Sequence, residues 1–148
     1  MILTIDDFSG PWGFLSNFSP HGFTINGIWF DTNEHWYQAN KTCVGDTDSF
    51  MEIVRASTPG KAKRLGQKVK LRPDWEHRKV DVMVEGVMKK FQQNPHLITL
   101  LKSTGDKILV EGNHWHDNIW GDCSCEKCQK IVGKNLLGNV LMHVRDTI

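Results

Sequence analysis

Apolar and polar positions along this chain change period several times, and each change marks an element. Phe23-Thr24-Ile25 and Ile28-Trp29-Phe30 flank Asn26-Gly27, a pairing that favours a tight β-hairpin. Residues 31–43 then predict a helix, with Asp31 and Glu34 spaced as in a capping box. After the polar turn GDTDS, residues 50–56 predict a short helix. Thr58-Pro59 supplies an N-cap and a first helical position for a helix that stops near Gly66. Asp74 is the expected N-cap of the clearest helix, 75–93. Its apolar stripe is Val80, Val84, Val87, Met88 and Phe91, with Met83 beside it. Trp75 falls outside that register and is expected to be open for stacking. Pro95 closes this helix, 96–102 predict another, and the run 107–111 reads as a buried strand. An amphipathic helix over 134–145 turns Leu137, Val140, Leu141 and Val144 inward. The first residues, MILTI, read as a short strand.

The chain has 148 residues, a length that suits one domain with a real core. No repeat or linker divides it, so 1–148 is expected to form a single domain. A net charge of +1 supplies no global field towards nucleic acid or membrane. No apolar run is long enough to span a bilayer, and no secretory signal pattern opens the chain. The expected location is cytoplasmic, with no membrane partner. Charge is nevertheless uneven. Lys61, Lys63, Arg64, Lys68, Lys70, Arg72, Arg78 and Lys79 are opposed only by Asp74 and Glu76, so this segment is either a phosphate-binding surface or a solvated face. Six Trp accompany a single Tyr, and an indole suits a core or a stacking site equally.

Chemistry concentrates in DTNEHWYQANK, residues 31–41. On a helix, Glu34, Gln38 and Lys41 share one face over about 10 Å of rise. Acid, amide and amine make a poor core face, so the stripe is expected to meet solvent or a ligand; Glu34 could equally cap its helix. The Gly- and Pro-bounded loop before the hairpin carries Ser16 and Asn17, either as ligand contacts or as turn caps. The aperiodic stretch NHWHDNIWGD, 113–122, offers Asp117 as an acid, base or sugar-hydroxyl acceptor and Trp120 as a stacking wall. Next to it Cys123, Cys125 and Cys128 supply three soft ligands within six residues, while zinc prefers four. The reading is a structural zinc site completed by His114, His116 or Cys43, or else reduced, uncoordinated thiols.

The ordered motifs LSNF (15–18), NG-IWF (26–30), NEHWYQANK (33–41), TPGKAKRLGQ (58–67), DW-R-VM (74–83), KKFQQN (89–94), LLKSTGDKILVEGN (100–113), WGD (120–122) and GKNLLGNVLMHVR (133–145) resemble the NADAR, or YbiA-like, family. The resemblance covers nearly the whole chain. It implies an α+β fold, a mainly α-helical single domain with a small β-hairpin or sheet. It also implies an N-glycosidase that cleaves the bond between a ribose anomeric carbon and a nitrogen. Two substrate groups come with the family: ADP-ribose attached to guanine in DNA or RNA, and phosphoribosylated intermediates of riboflavin synthesis. The family's acid falls on Glu34, its Lys on Lys41, its helix-opening Trp on Trp75 and its Asp before Trp-Gly on Asp117; these are the expected catalytic residues. Asn17, Gln38, His35 and Arg64 are expected to contact substrate, as are Trp120, Gly121 and Asn135. No cofactor is implied for catalysis. The chain departs from the family pattern at Asn33, where many members carry Ser, and at the CSCEKC insertion.

N-glycosidic cleavage builds positive charge at the ribose C1 and negative charge on the leaving nitrogen. A carboxylate near C1 and a proton donor at the nitrogen answer these needs, so Glu34 and Asp117 are the expected acid/base pair. Lys41 could hold a phosphate or hydroxyl, or attack C1 of an opened ribose as a neutral amine. The rival class is a module that binds ADP-ribose or a nucleotide without turnover.

Overall fold

The computed structural model describes residues 3–148. Met1 and Ile2, part of the expected first strand, lie outside the described residues. The elements are β1 (Thr4–Ile5), a 3-10 helix (Gly10–Leu15), β2 (Phe23–Ile25), β3 (Ile28–Phe30), α1 (Asn33–Ala39), α2 (Thr47–Val54), α3 (Pro59–Gly66) and α4 (Trp75–Gln93). They continue with α5 (Pro95–Ser103), β4 (Ile108–Leu109), β5 (Gly112–Asn113), β6 (Asp122–Cys123), a 3-10 helix (Glu126–Cys128) and α6 (Leu136–Thr147). The fold is α+β and mainly helical, with three two-stranded sheets among the described residues. No described helix is long and apolar enough to cross a membrane. The chain folds as two compact units, residues 17–94 and residues 1–16 with 95–148.

In the 17–94 unit, β2 and β3 form the expected hairpin, with Phe23 opposite Phe30. Asn26 and Gly27 both take positive φ, 52° and 78°, as a type I′ turn requires. Phe30 meets Trp36 edge-on, with centroids 5.1 Å apart, which ties the hairpin to α1. α1 packs against α2, α3 and α4. Close approach to α4 depends on Gly86, where a Cβ would lie 2.0 Å from Asn33 Oδ1 and 2.4 Å from Trp36 Cδ1.

Three local expectations change. α2 begins at Thr47 because Asp46 accepts from Ser49 N (3.2 Å), an N-cap hidden in a segment that reads as polar turn. Asp74 makes no side-chain cap for α4; Arg72 engages both of its oxygens, at 2.5 and 3.1 Å. The buried face of α4 runs through Trp75, Val82, Met83, Gly86, Val87, Lys90 and Phe91, rotated from the expected stripe. Val80 is exposed and Val84 and Met88 are half-buried. Trp75 is therefore in register with the buried face, not outside it.

In the other unit, β1 pairs parallel with β4, and β5 pairs parallel with β6. α6 packs on β4 and α5 and buries Leu137, Val140, Leu141 and Val144 as expected. Arg145 is also buried, donating to Thr104 Oγ1 (2.9 Å) and the Lys107 carbonyl (2.8 Å).

Candidate active site

The whole of α1 is buried, so its polar side chains face the interior of the protein. The helix is capped by Thr32, whose Oγ1 accepts from His35 N at 3.2 Å. The expected capping box does not form, because Asp31 Oδ1 accepts from Trp29 Nε1 (2.8 Å). Glu34 is thereby released from capping. Its N–H donates to the Asn17 carbonyl (3.1 Å), and its Oε1 accepts from Gln38 Nε2 (2.7 Å). The side chain is 7% exposed, and loss of water raises its pKa above the ordinary carboxyl value. The Gln38 hydrogen bond and the charges of Lys63 and Lys41 act the other way. Gln38 is fixed from behind by Gly66 of α3, where a Cβ would lie 1.9 Å from its Oε1. That Oε1 is buried without a hydrogen-bond partner among the described residues.

α1 stops at Ala39 with Asn40 as C-cap. Lys41 therefore stands in the turn beyond the helix, not on its stripe. It is half-buried, and its Nζ lies 5.2 Å from the Tyr37 ring centroid. Burial lowers its pKa; Glu34 opposes that shift and the like charge of Lys63 adds to it. The Lys41 carbonyl accepts from Arg72 N (2.9 Å), and Thr42 bridges to Leu71, so residues 71–72 of the basic segment run beside this turn. Arg64 is exposed in the last turn of α3. Within the basic segment, Arg72 and Lys79 pair with Asp74 and Glu76.

Other expected contacts are placed differently. Trp75 is only 4% exposed, packing edge-on against Tyr37 at 5.2 Å; it walls the site through Tyr37 and has no open stacking face. His35 is fully buried. Its Nδ1 faces Thr32 Oγ1 (2.8 Å) and its Nε2 faces the Ala56 carbonyl (2.9 Å), so it braces α1 and offers no ring nitrogen to a ligand. Asn17 Oδ1 accepts from Asn33 Nδ2 (2.8 Å), which makes it a support beneath Glu34. A cavity of about 330 Å³ in this unit is lined by Thr42, Cys43, Phe50, Met51 and Arg72, among others. Glu34, Gln38 and Lys41 do not border it, so it is separate from this cluster.

Asp117, Trp120, Gly121 and Asn135 belong to the other unit. Asp117 Oδ1 accepts from Ile119 N (3.1 Å) and Trp120 N (2.9 Å), an Asx turn that sets the loop's shape. Asn113 holds the same loop: its Oδ1 accepts from Trp115 N and Asp117 N, and its Nδ2 donates to the Asp117 carbonyl (2.8 Å). Gly121 is buried, and a Cβ there would meet the Glu111 carbonyl at 2.2 Å. Asn135 takes a positive φ of 51°. Its amide accepts from Glu111 N and donates to the Leu109 carbonyl. Both positions hold the backbone around Leu109 and Glu111. Three participants escaped the sequence reading. Lys63 acts electrostatically on Glu34 and Lys41, Tyr37 carries both Lys41 and Trp75, and Gly66 admits Gln38. The i, i+4 spacing of Tyr37 and Lys41 was the one legible signal.

A desolvated carboxyl, a half-buried amine with a lowered pKa and an aromatic wall thus meet around α1 and the turn that follows it. The chain belongs to the NADAR family, whose domain profile matches residues 6–148. An N-glycosidase of Nostoc punctiforme is 42% identical over 142 residues, spanning 93% of this chain and 86% of that protein. The chloroplastic riboflavin biosynthesis protein PYRR of Zea mays is 38% identical over 151 residues, 92% of this chain but 23% of that protein. The NMR structure of Escherichia coli YbiA matches with a TM-score of 0.84 and 35% identity, covering 99% of this chain and 86% of that one.

Proposed function

We propose that this chain, an N-glycosidase, removes ADP-ribose from guanine bases. The observation that carries this reading is Glu34, an enclosed carboxyl held by Gln38 and flanked by the charges of Lys41 and Lys63. Its raised pKa keeps a proton available closer to neutral pH than an ordinary carboxyl could. As the C1–N bond breaks, its electron pair passes to the guanine nitrogen, which takes up a proton. The cation at C1 is met by a carboxylate and then by water, whose proton returns to the protein. Glu34 and Asp117 are the two carboxyls assigned to these proton movements, Asp117 on its motif. Lys41 either holds a phosphate or hydroxyl as a cation or, with its lowered pKa, replaces direct hydrolysis by attacking C1 of the opened sugar as a neutral amine. One C=N bond then replaces another, guanine leaves with its nitrogen, and water releases ADP-ribose from Lys41.

The basic residues on α3 and the following segment support a substrate with more than one phosphate. A second reading, phosphoribosylated riboflavin intermediates, is favoured by the name of the Zea mays relative. A binding module without turnover has no use for a desolvated acid beside an amine. Equal concentrations of guanine-ADP-ribosylated DNA and phosphoribosylated riboflavin intermediates should be incubated with the protein side by side. The proposal expects faster release of ADP-ribose than of ribose phosphate. Faster ribose phosphate release favours the second reading, and release of neither overturns both substrate assignments.

A further inference from the structure

The cysteine-rich segment 123–128 and the loop before it gather four metal-binding side chains. His116, Cys123, Cys125 and Cys128 each point one ligand atom inward, and these atoms all lie within 4.8 Å of one another. From His116 Nδ1 the sulfur distances are 3.2 Å to Cys125, 3.4 Å to Cys128 and 4.0 Å to Cys123. A tetrahedral zinc with Zn–S near 2.3 Å and Zn–N near 2.0 Å separates nitrogen from sulfur by about 3.5 Å, within this range. The four cysteines of the chain form no disulfide. We propose that His116, Cys123, Cys125 and Cys128 form a closed, structural zinc site.

Three further observations support the assignment. N–H donors converge on the sulfurs. His116 N and Cys125 N donate to Cys123 Sγ at 3.3 and 3.4 Å, and Asn118 Nδ2 donates to Cys128 Sγ at 3.4 Å. A neutral thiol is a weak acceptor, whereas metal-bound thiolates attract such donors, which orient the ligands. His116 takes a φ of 70°, a left-handed conformation uncommon for a residue with a Cβ, and this turns its ring towards the sulfurs. The fold also delivers the ligands from separate local structures. The β5–β6 pairing sets Cys123 opposite Asn113, and the 3-10 turn brings Cys128 N to the Cys125 carbonyl at 3.1 Å.

The competing fourth ligands are engaged elsewhere. His114 Nδ1 faces Ser124 Oγ at 3.1 Å, and Cys43 Sγ donates to the Lys70 carbonyl at 3.6 Å. Four protein ligands leave no open position, so this zinc is a staple and not a catalyst. It pins the loop carrying Asp117 to the 123–128 turn. The softness of the ligands and their compact span favour zinc over magnesium or calcium, which require oxygen donors.

Elemental analysis of the full chain, purified without a metal-affinity step, is expected to find about one zinc per chain. Titrating the chelator-stripped protein with cobalt is expected to give the thiolate-to-cobalt charge-transfer band and the visible bands of a tetrahedral site. Neither measurement needs a variant. Cys125→Ser and His116→Ala are expected to lose the metal, whereas His114→Ala and Cys43→Ser retain it. Stripping the metal is expected to speed amide exchange in residues 113–128 and leave α1 unchanged. A chain that takes up neither zinc nor cobalt overturns the site. Full zinc retention in both Cys125→Ser and His116→Ala overturns the ligand set, and unchanged exchange in 113–128 overturns the staple.

Discussion

Replacing Gly66 by Ala tests whether the Gln38–Glu34 pair controls the chemistry. The new Cβ would stand 1.9 Å from Gln38 Oε1, 2.8 Å from Cδ and 3.0 Å from Cβ. Two of these contacts are shorter than real Cβ atoms show, so Gln38 must move. Backbone strain is not the cause, because Gly66 has no positive φ. Overpacking of this kind costs about 1–3 kcal/mol, partly offset by about 1 kcal/mol of gained helix propensity. The net loss of up to about 2 kcal/mol should lower Tm by several degrees at this chain length. Activity should suffer more than stability. Displacing Gln38 breaks its 2.7 Å bond to Glu34, and a hydrogen bond to a charged group is worth about 1.5–3 kcal/mol. If half of that acts in the transition state, kcat falls by about three- to tenfold. That bond also lowers the Glu34 pKa, so its loss should move the Glu34 limb of the pH–rate profile upward. Release of product should be followed over a pH series at a temperature where both proteins remain folded. Unchanged kcat and an unshifted limb in Gly66→Ala would refute the reasoning.

Lys63→Met removes a cation that lowers both the Glu34 and the Lys41 pKa; both limbs of the pH–rate profile should move to higher pH, and a fixed profile would separate Lys63 from the site. Borohydride added during turnover should leave a sugar adduct on Lys41 detectable by peptide mass spectrometry, and its absence would favour direct hydrolysis. His35→Ala removes a fully buried ring and its contacts with Thr32 and Ala56, so it should cost about 2–4 kcal/mol in denaturant unfolding; a wild-type midpoint would contradict the brace. Lys90 is fully buried in α4 and its pKa is lowered to about 7 from 10.5. Below about 7 the ammonium must be buried. The burden eases as pH rises from about 7 to 10.5, where the unfolded chain holds a proton the native state lacks, and ends above 10.5. Lys90→Met should therefore be the more stable protein at pH 6, with the advantage shrinking by pH 9; an advantage independent of pH would exclude this cause.

Where a single local signal decided the structure, the sequence was legible. Asn26-Gly27 gave the hairpin and Thr58-Pro59 gave α3, because turn and cap chemistry act within four residues. Glu34 and Lys41 stood out in the sequence by their motif. Their environment did not. Whether Glu34 caps α1 depended on a competition between Asp31 and Thr32, settled by Trp29 taking the Asp31 carboxylate. The α4 face was misread because Val80, Val84 and Met88 look as apolar as Val82 and Met83. The choice between them was made by Gly86, which allows α1 to approach only on its own side. Burial of Trp75 follows from that same rotation. The backbone contacts of His35 and Asn135 were not legible, because polar side chains that brace backbone are identical in sequence to those that face solvent or a ligand. That His116, and neither His114 nor Cys43, lies beside the three cysteines is something residue spacing alone does not reveal.

The central claim is that Glu34 drives cleavage of an N-ribosyl bond, with ADP-ribosylated guanine as the substrate. It is tested most directly by product analysis on an ADP-ribosylated guanine oligonucleotide, comparing the wild type with Glu34→Gln. Gln preserves the volume and can still accept from Gln38, so the fold should stay intact while the proton function is lost. The account predicts free ADP-ribose and unmodified guanine from the wild type, with kcat reduced by about 10²–10⁴ in Glu34→Gln. No release by the wild type, or comparable release by a folded Glu34→Gln variant, would contradict it.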